Sequence, residues 1–170
     1  GEFLIFLDAG SKLNPLGKQL FHEYINRLKN SNYGIMSVQM SGNNGPGNLE
    51  QEKVWTNTQI FNYLNVDINS NHANSGQYLG GILVMRKNEH LLKIINLLIK
   101  ALNDDPLMFT DHYNKNQHQG FRENRHEQSV FSLLRKIHGS VVIDGDESFM
   151  PPFGNGKSLK YPFWATRSKT

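Results

Sequence analysis

Apolar residues fall along this chain in short unbroken runs and in helical stripes, with polar segments between them. Phe3 to Leu7 is an unbroken apolar run that ends on Asp8 and the small pair Ala9–Gly10. A run of that length closed by glycine predicts a buried strand. Asn14 followed by Pro15 predicts a helix start, because Asn takes up a free amide and Pro is preorganised for the first helical position. Leu16, Leu20, Phe21, Tyr24, Ile25 and Leu28 then share one helical face. "YGIMSVQM" (33–40) predicts a second buried strand, and "SGNNGPGNLEQEK" (41–53) a mobile loop.

A short helix is predicted over Thr58 to Leu64, and 66–77 is polar and irregular. "YLGGILVMR" (78–86) is a third strand with an internal Gly-Gly. The following "NEHLLKIINLLIKAL" is apolar on nearly all sides, which predicts a buried helix. After the polar stretch 103–126 come a helix, "EQSVFSLLRKI", and a short strand, "SVVI" (140–143). The tail from Phe149 is loop-like but aromatic, as a segment packed over something would be. Strands alternating with helices predict an α/β layered fold, and 170 residues predict a single domain over 1–170. The apolar run opens within the first residues, which reads as a domain missing its N-terminal part.

Composition narrows the function classes. Eighteen basic against fifteen acidic residues give a net charge of only +3, and the basic residues are scattered, so nucleic acid is not an expected partner. The chain has no cysteine, which excludes disulfides and cysteine-based zinc sites. No signal peptide or transmembrane segment is apparent, since Lys93, Asn96 and Lys100 break the longest apolar run. The expected location is cytoplasmic.

Three places could carry chemistry. Asp8 closes a strand where α/β proteins gather ligands, and small residues follow it; it is either a ligand for a hard divalent cation or an acid bonded to its own turn. Gly80 and Gly81 delete two side chains from a strand, so that a ligand can approach, or a bulge or a packed helix can. Asn124 and Glu127 have the spacing of a helix cap and its reciprocal partner, and the same helix start, with His126, Glu127 and Gln128, would face a cleft. The spacings of His112, His118 and His126 fit no compact zinc signature.

Taken in order, "FLIFLDAG", "NSGQYLGGILVMRKNEH", "FRENRHEQSVFSLLRKIHG" and "YPFWATR" resemble a family of glycosyltransferase-like proteins of the GT-A fold, found in bacterial polysaccharide loci and large viruses. The typical family pattern is Y-L-D-A-G, then G-G-I-L, then R-H-D-Q-S-I-F-S. The resemblance implies a GT-A-like mixed sheet flanked by helices, without the N-terminal nucleotide-binding unit of such domains. It implies transfer of a sugar from a nucleotide-sugar donor to a glycan or similar hydroxyl acceptor.

By the same resemblance Asp8 stands at the first acid of an Asp-x-Asp metal motif for Mn²⁺ or Mg²⁺, with Gly10 where the second would be. Gly80 and Gly81 would line the donor-sugar pocket, with Gln77, His126 and Gln128 near the substrate. Glu127 stands where the family has Asp and would be the general base or an oxocarbenium stabiliser. Trp55 and Thr56 would meet the acceptor, and Trp164 is a second stacking platform. A different reading is a non-catalytic glycan-binding or assembly module that kept the fold. A third is a metal-dependent hydrolase using Asp8, Asp111, His112 and Glu127.

Overall fold

The structure is a computed structural model, and it describes residues 1–40 and 50–166. The glycine-rich part of the expected mobile loop, 41–49, lies outside the described residues. The fold is mixed α/β. Its contacts divide the chain into two compact units: Gly1–Gln39 with Gly81–Leu92 and Ser140–Thr170, and Met40–Gly80 with Lys93–Gly139. The chain passes from one to the other between Gly80 and Gly81.

The first unit carries a four-stranded sheet in the order β1-β4-β3-β5. Here β1 is Phe3–Leu7, β3 is Ile35–Gln39, β4 is Tyr78–Arg86 and β5 is Val141–Asp144. β1 runs antiparallel to β4, with Leu7 opposite Ile82. β3 runs parallel to β5, with Met36 opposite Val141. The β-branched and aliphatic runs of β3 and β4 are buried, as the pattern predicts.

The expectation for β1 needs correction. It pairs on one side only, and Leu4, Ile5 and Phe6 are 63%, 39% and 50% exposed. An apolar run encodes burial only when a neighbour covers it, and an edge strand has one neighbour fewer.

The predicted helix start is borne out. The Asn14 side chain accepts a hydrogen bond from the Leu16 amide at 3.2 Å and caps a 3-10 turn, Pro15–Gly17, that leads into α1, Lys18–Lys29. Its Nδ2 donates to the carbonyls of Leu159 at 2.6 Å and Tyr161 at 2.9 Å, so one side chain also ties down the aromatic tail. Tyr24 and Leu28 are the wholly buried residues of the α1 stripe. The Tyr24 hydroxyl donates to the Glu147 carboxylate. A two-residue strand, β2 (Lys12–Leu13), pairs with β6 (Phe163–Trp164), so the tail is partly sheet.

The second unit holds α2 (Thr58–Tyr63), α3 (Asn71–Asn74) and α5 (Glu127–His138), with most of α4 (Glu89–Asp104). Asn57 caps α2 by accepting from the Ile60 amide at 3.0 Å. α3 lies inside the stretch expected to be irregular; Ser70 caps it, and its single buried residue, Ala73, gives too little apolar signal to read from sequence. α4 also differs from expectation. Ile94 and Ala101 are its only wholly buried residues, and Leu92, Ile99 and Leu102 are about half exposed. α5 buries Val130, Phe131, Leu133 and Leu134 together with polar neighbours. Among the described residues no helix is long and apolar enough to cross a membrane.

Candidate functional site

Asp8 follows β1 directly. Its amide donates to the Gly81 carbonyl at 2.9 Å, and its carbonyl accepts from the Ser11 amide at 2.9 Å. The turn is therefore made by the Asp8 backbone, and among the described residues the carboxylate accepts no hydrogen bond. The side chain lies flat on Gly81. A Cβ built on Gly81 would sit 2.1 Å from Asp8 Oδ2 and 2.5 Å from Cγ, closer than non-bonded atoms approach. The gap left by Gly81 is filled by this carboxylate.

Gly80 has a similar explanation in the other unit. Its amide donates to Gln128 Oε1 at 2.8 Å, and a Cβ there would lie 3.3 Å from both Gln128 Cβ and Oε1. The paired glycines thus admit two of the chain's own side chains.

Gln128 belongs to a buried polar network. Its Nε2 donates to Gln77 Oε1 at 2.6 Å, and Gln77 Nε2 donates to Glu52 Oε1 at 2.9 Å. Thr56 Oγ1 donates to the same oxygen at 2.8 Å. The other carboxylate oxygen of Glu52 accepts from Ser132 Oγ at 2.5 Å and pairs with Lys136 Nζ at 3.0 Å. Glu52, Thr56 and Gln77 are 0% exposed. Ionised groups survive such burial only when paired and hydrogen-bonded, and this carboxylate meets four donors.

Lys136 also donates to the carbonyls of His72 and Ser75. Burial pulls its pKa below the usual lysine value, against the opposing pull of Glu52. Its neighbour Arg135 is wholly enclosed and donates to the carbonyls of Phe131, Tyr78 and Leu79. Burial lowers the Arg135 pKa to about 9, with Glu52 and Tyr78 opposing. Thr56 and Gln77, read from sequence as substrate contacts, are placed inside this network. Only Gln128, half-buried, reaches from it toward the surface.

The start of α5 departs from the expected capping box. Asn124 is buried, and its Nδ2 donates to the carbonyls of Met108 at 2.9 Å and Thr110 at 3.2 Å. The cap position is His126, with no side-chain cap bond, and Glu127 is the first helical residue. The box fails because the Asn124 oxygen, the atom that would cap α5, accepts from the Asn57 amide at 3.5 Å instead, while its Nδ2 joins two turns. His126 sits at φ 51°, a backbone region that residues with a side chain rarely adopt. Its Nε2 lies 2.7 Å from Asp111 Oδ1, both groups being well exposed. Glu127 is exposed beside it. The Arg125 guanidinium covers the Trp55 ring at 3.8 Å, so that face of Trp55 is already occupied.

Trp164 lies in the first unit. Its Nε1 donates to the Ser158 carbonyl at 2.8 Å, and its ring neighbours Phe153, which in turn meets Phe149 edge-on. These three aromatic rings form a partly exposed group.

Among the described residues no three His, Asp or Glu side chains come together to hold a metal ion. A resident ion needs such a cage. Mg²⁺ and similar hard cations are instead commonly held by one or two carboxylates plus substrate phosphates and water. Asp8 offers a single carboxylate, seated in the cradle that a Cβ on Gly81 would fill, one ligand of the kind such a substrate-bridged cation uses.

The residues that sequence reading missed are Glu52, Ser132, Arg135 and Lys136. Gln128, Ser132 and Lys136 lie at i, i+4 and i+8, a polar stripe along the most buried helix, and that stripe was the available signal. Glu52 carries none, because it sits in a polar stretch with no periodicity. No family model, curated protein or solved structure matches the chain.

Proposed function

We propose that this chain is the catalytic part of a glycosyltransferase that moves a sugar from a nucleotide-sugar donor to a hydroxyl of a glycan or similar acceptor. The observation that carries the reading is the setting of Glu127. Its expected structural duty as a capping partner is absent, since Asn124 is turned into the core, and an exposed carboxylate is left beside a residue at positive φ. A carboxylate so presented suits a general base. It would take the proton of the acceptor hydroxyl while that oxygen bonds to the anomeric carbon and the bond to the nucleoside diphosphate breaks.

Asp8 is the residue that would hold a hard divalent cation, Mn²⁺ or Mg²⁺, whose charge would offset that of the departing diphosphate. Within the second unit, Gln128, steadied by Gln77 and in turn by Glu52 and Thr56, would be a rigid polar contact for a sugar beside Glu127. His126 stands beside Glu127 as a second substrate contact. The resemblance to glycosyltransferase-like proteins of the GT-A fold supplies the substrate class.

The test is the melting temperature of the protein with UDP, GDP, dTDP and CMP, each with and without Mn²⁺, beside an Asp8→Asn control. A metal-dependent rise for one nucleotide, lost in Asp8→Asn, supports a nucleotide-sugar site. No rise for any nucleotide refutes it. A second reading, a glycan-binding module without catalysis, is favoured by the aromatic group Phe149, Phe153 and Trp164. Sugars stack on such rings, and a rise with free glycans alone would select it.

A further inference from the structure

We infer that Gly81 is a positioning residue for Asp8: its missing side chain sets the orientation in which the Asp8 carboxylate is presented. This rests on the reading of Asp8 as the carboxylate that meets the donor's diphosphate through a cation.

The argument is geometric. The Asp8 amide and the Gly81 carbonyl are hydrogen-bonded at 2.9 Å, so the two backbones are fixed side by side at the end of the β1–β4 pair. With the backbone fixed, the direction of the carboxylate depends on the side-chain rotamer alone. In the observed rotamer Oδ2, Cγ and Oδ1 would lie 2.1, 2.5 and 2.8 Å from a Cβ on residue 81. Any side chain there expels the whole carboxylate to another staggered well. The observed rotamer and a Cβ at position 81 are mutually exclusive. Gly81 has no positive φ that would demand glycine for its backbone. Glycine in a strand interior is destabilising by itself, so the position carries a stability penalty that the seating of Asp8 explains.

Gly81→Ala is expected to fold, because the exposed end of Asp8 is free to move away and alanine suits a strand better than glycine. Its effect should fall on ligand response. With the nucleotide that responds in the wild type, the Mn²⁺ concentration for a half-maximal thermal shift should rise about 10- to 100-fold, as when groups that orient metal ligands are removed. Undiminished Mn²⁺ response in Gly81→Ala overturns the inference.

A second readout needs no ligand. Melting temperatures of wild type, Asp8→Ala, Gly81→Ala and the double variant form a cycle. Alanine at 81 should raise the melting temperature more when Asp8 is already truncated than when its carboxylate must be displaced. Additive effects overturn the inference, since the two residues would then not compete for one space. If wild type responds to none of the four nucleotides with Mn²⁺, the functional role falls together with the nucleotide reading. If the wild type responds and Asp8→Asn does too, Asp8 is not the ligand and Gly81 positions nothing functional. A normal wild type, a silent Asp8→Asn and a responsive Gly81→Ala would sink the positioning role alone.

Discussion

Glu52→Gln tests the buried network most sharply. The carboxylate receives Thr56 and Gln77 on one oxygen and Ser132 and Lys136 on the other. A glutamine replaces one of those oxygens with an NH₂ group. Turned one way, the NH₂ faces Lys136, which can only donate; turned the other way, it faces the Gln77 NH₂. Either orientation sets donor against donor. It also leaves Lys136, 2% exposed at its side chain, without its counter-charge. Removing one partner of a buried pair costs about 3–5 kcal/mol, and for a chain of this size that lowers the melting temperature by roughly 6–20 °C.

The assay is thermal or urea unfolding of Glu52→Gln, Lys136→Met and the double variant. In the double variant the donor conflict with Lys136 is gone. The carbonyls of His72 and Ser75 each keep another donor, from the Ser75 hydroxyl and the Glu52 amide. A coupling of about 2 kcal/mol is therefore expected, with the double variant more stable than the sum of the singles implies. Additive single effects, or a Glu52→Gln loss under about 1 kcal/mol, would refute the claim that this ion pair is made and matters.

Three further outcomes follow from other parts of the structure. Glu127→Gln should change stability by no more than about 0.5 kcal/mol, since the side chain is exposed, yet lower sugar transfer by about 10²–10⁴-fold; a variant with normal turnover removes Glu127 from the reaction. His126→Gly should raise the melting temperature, because relief at φ 51° is worth about 1–3 kcal/mol and the exposed pair with Asp111 contributes at most about 1 kcal/mol; a lower melting temperature would show that the conformation is unstrained. Burial, and then the bond to Glu147, hold the Tyr24 hydroxyl well above its ordinary pKa of about 10. Above that pH the unfolded chain releases this proton and the folded chain does not, so stability present at lower pH is lost as pH rises, by up to about 1.4 kcal/mol per unit. Tyr24→Phe should show a correspondingly shallower alkaline slope in its unfolding free energy between pH 9.5 and 11.

What the sequence alone determined was local. The alternation of runs and stripes predicted a mixed α/β chain, Asn14–Pro15 marked the start into α1, and "VFSLL" marked the buried face of α5. These features follow from backbone capping and from the 3.6 and 2.0 periods, which neighbours in sequence suffice to express. Tertiary structure decided the rest. β1 has the composition of a buried strand, but its exposure depends on which strands pair with it, and β4 covers one edge only. Asn124 has the spacing of a cap, but its oxygen accepts from the Asn57 amide, and its Nδ2 donates to Met108 and Thr110, all from elsewhere in the chain. Gly80 and Gly81 announced two empty spaces, and only the fold showed that Gln128 and Asp8 fill them. Glu52 looked like one acid in a polar loop until residues as distant as Gln77, Ser132 and Lys136 closed around it. A charge's environment is set by groups brought together across the chain, so no local pattern can encode it.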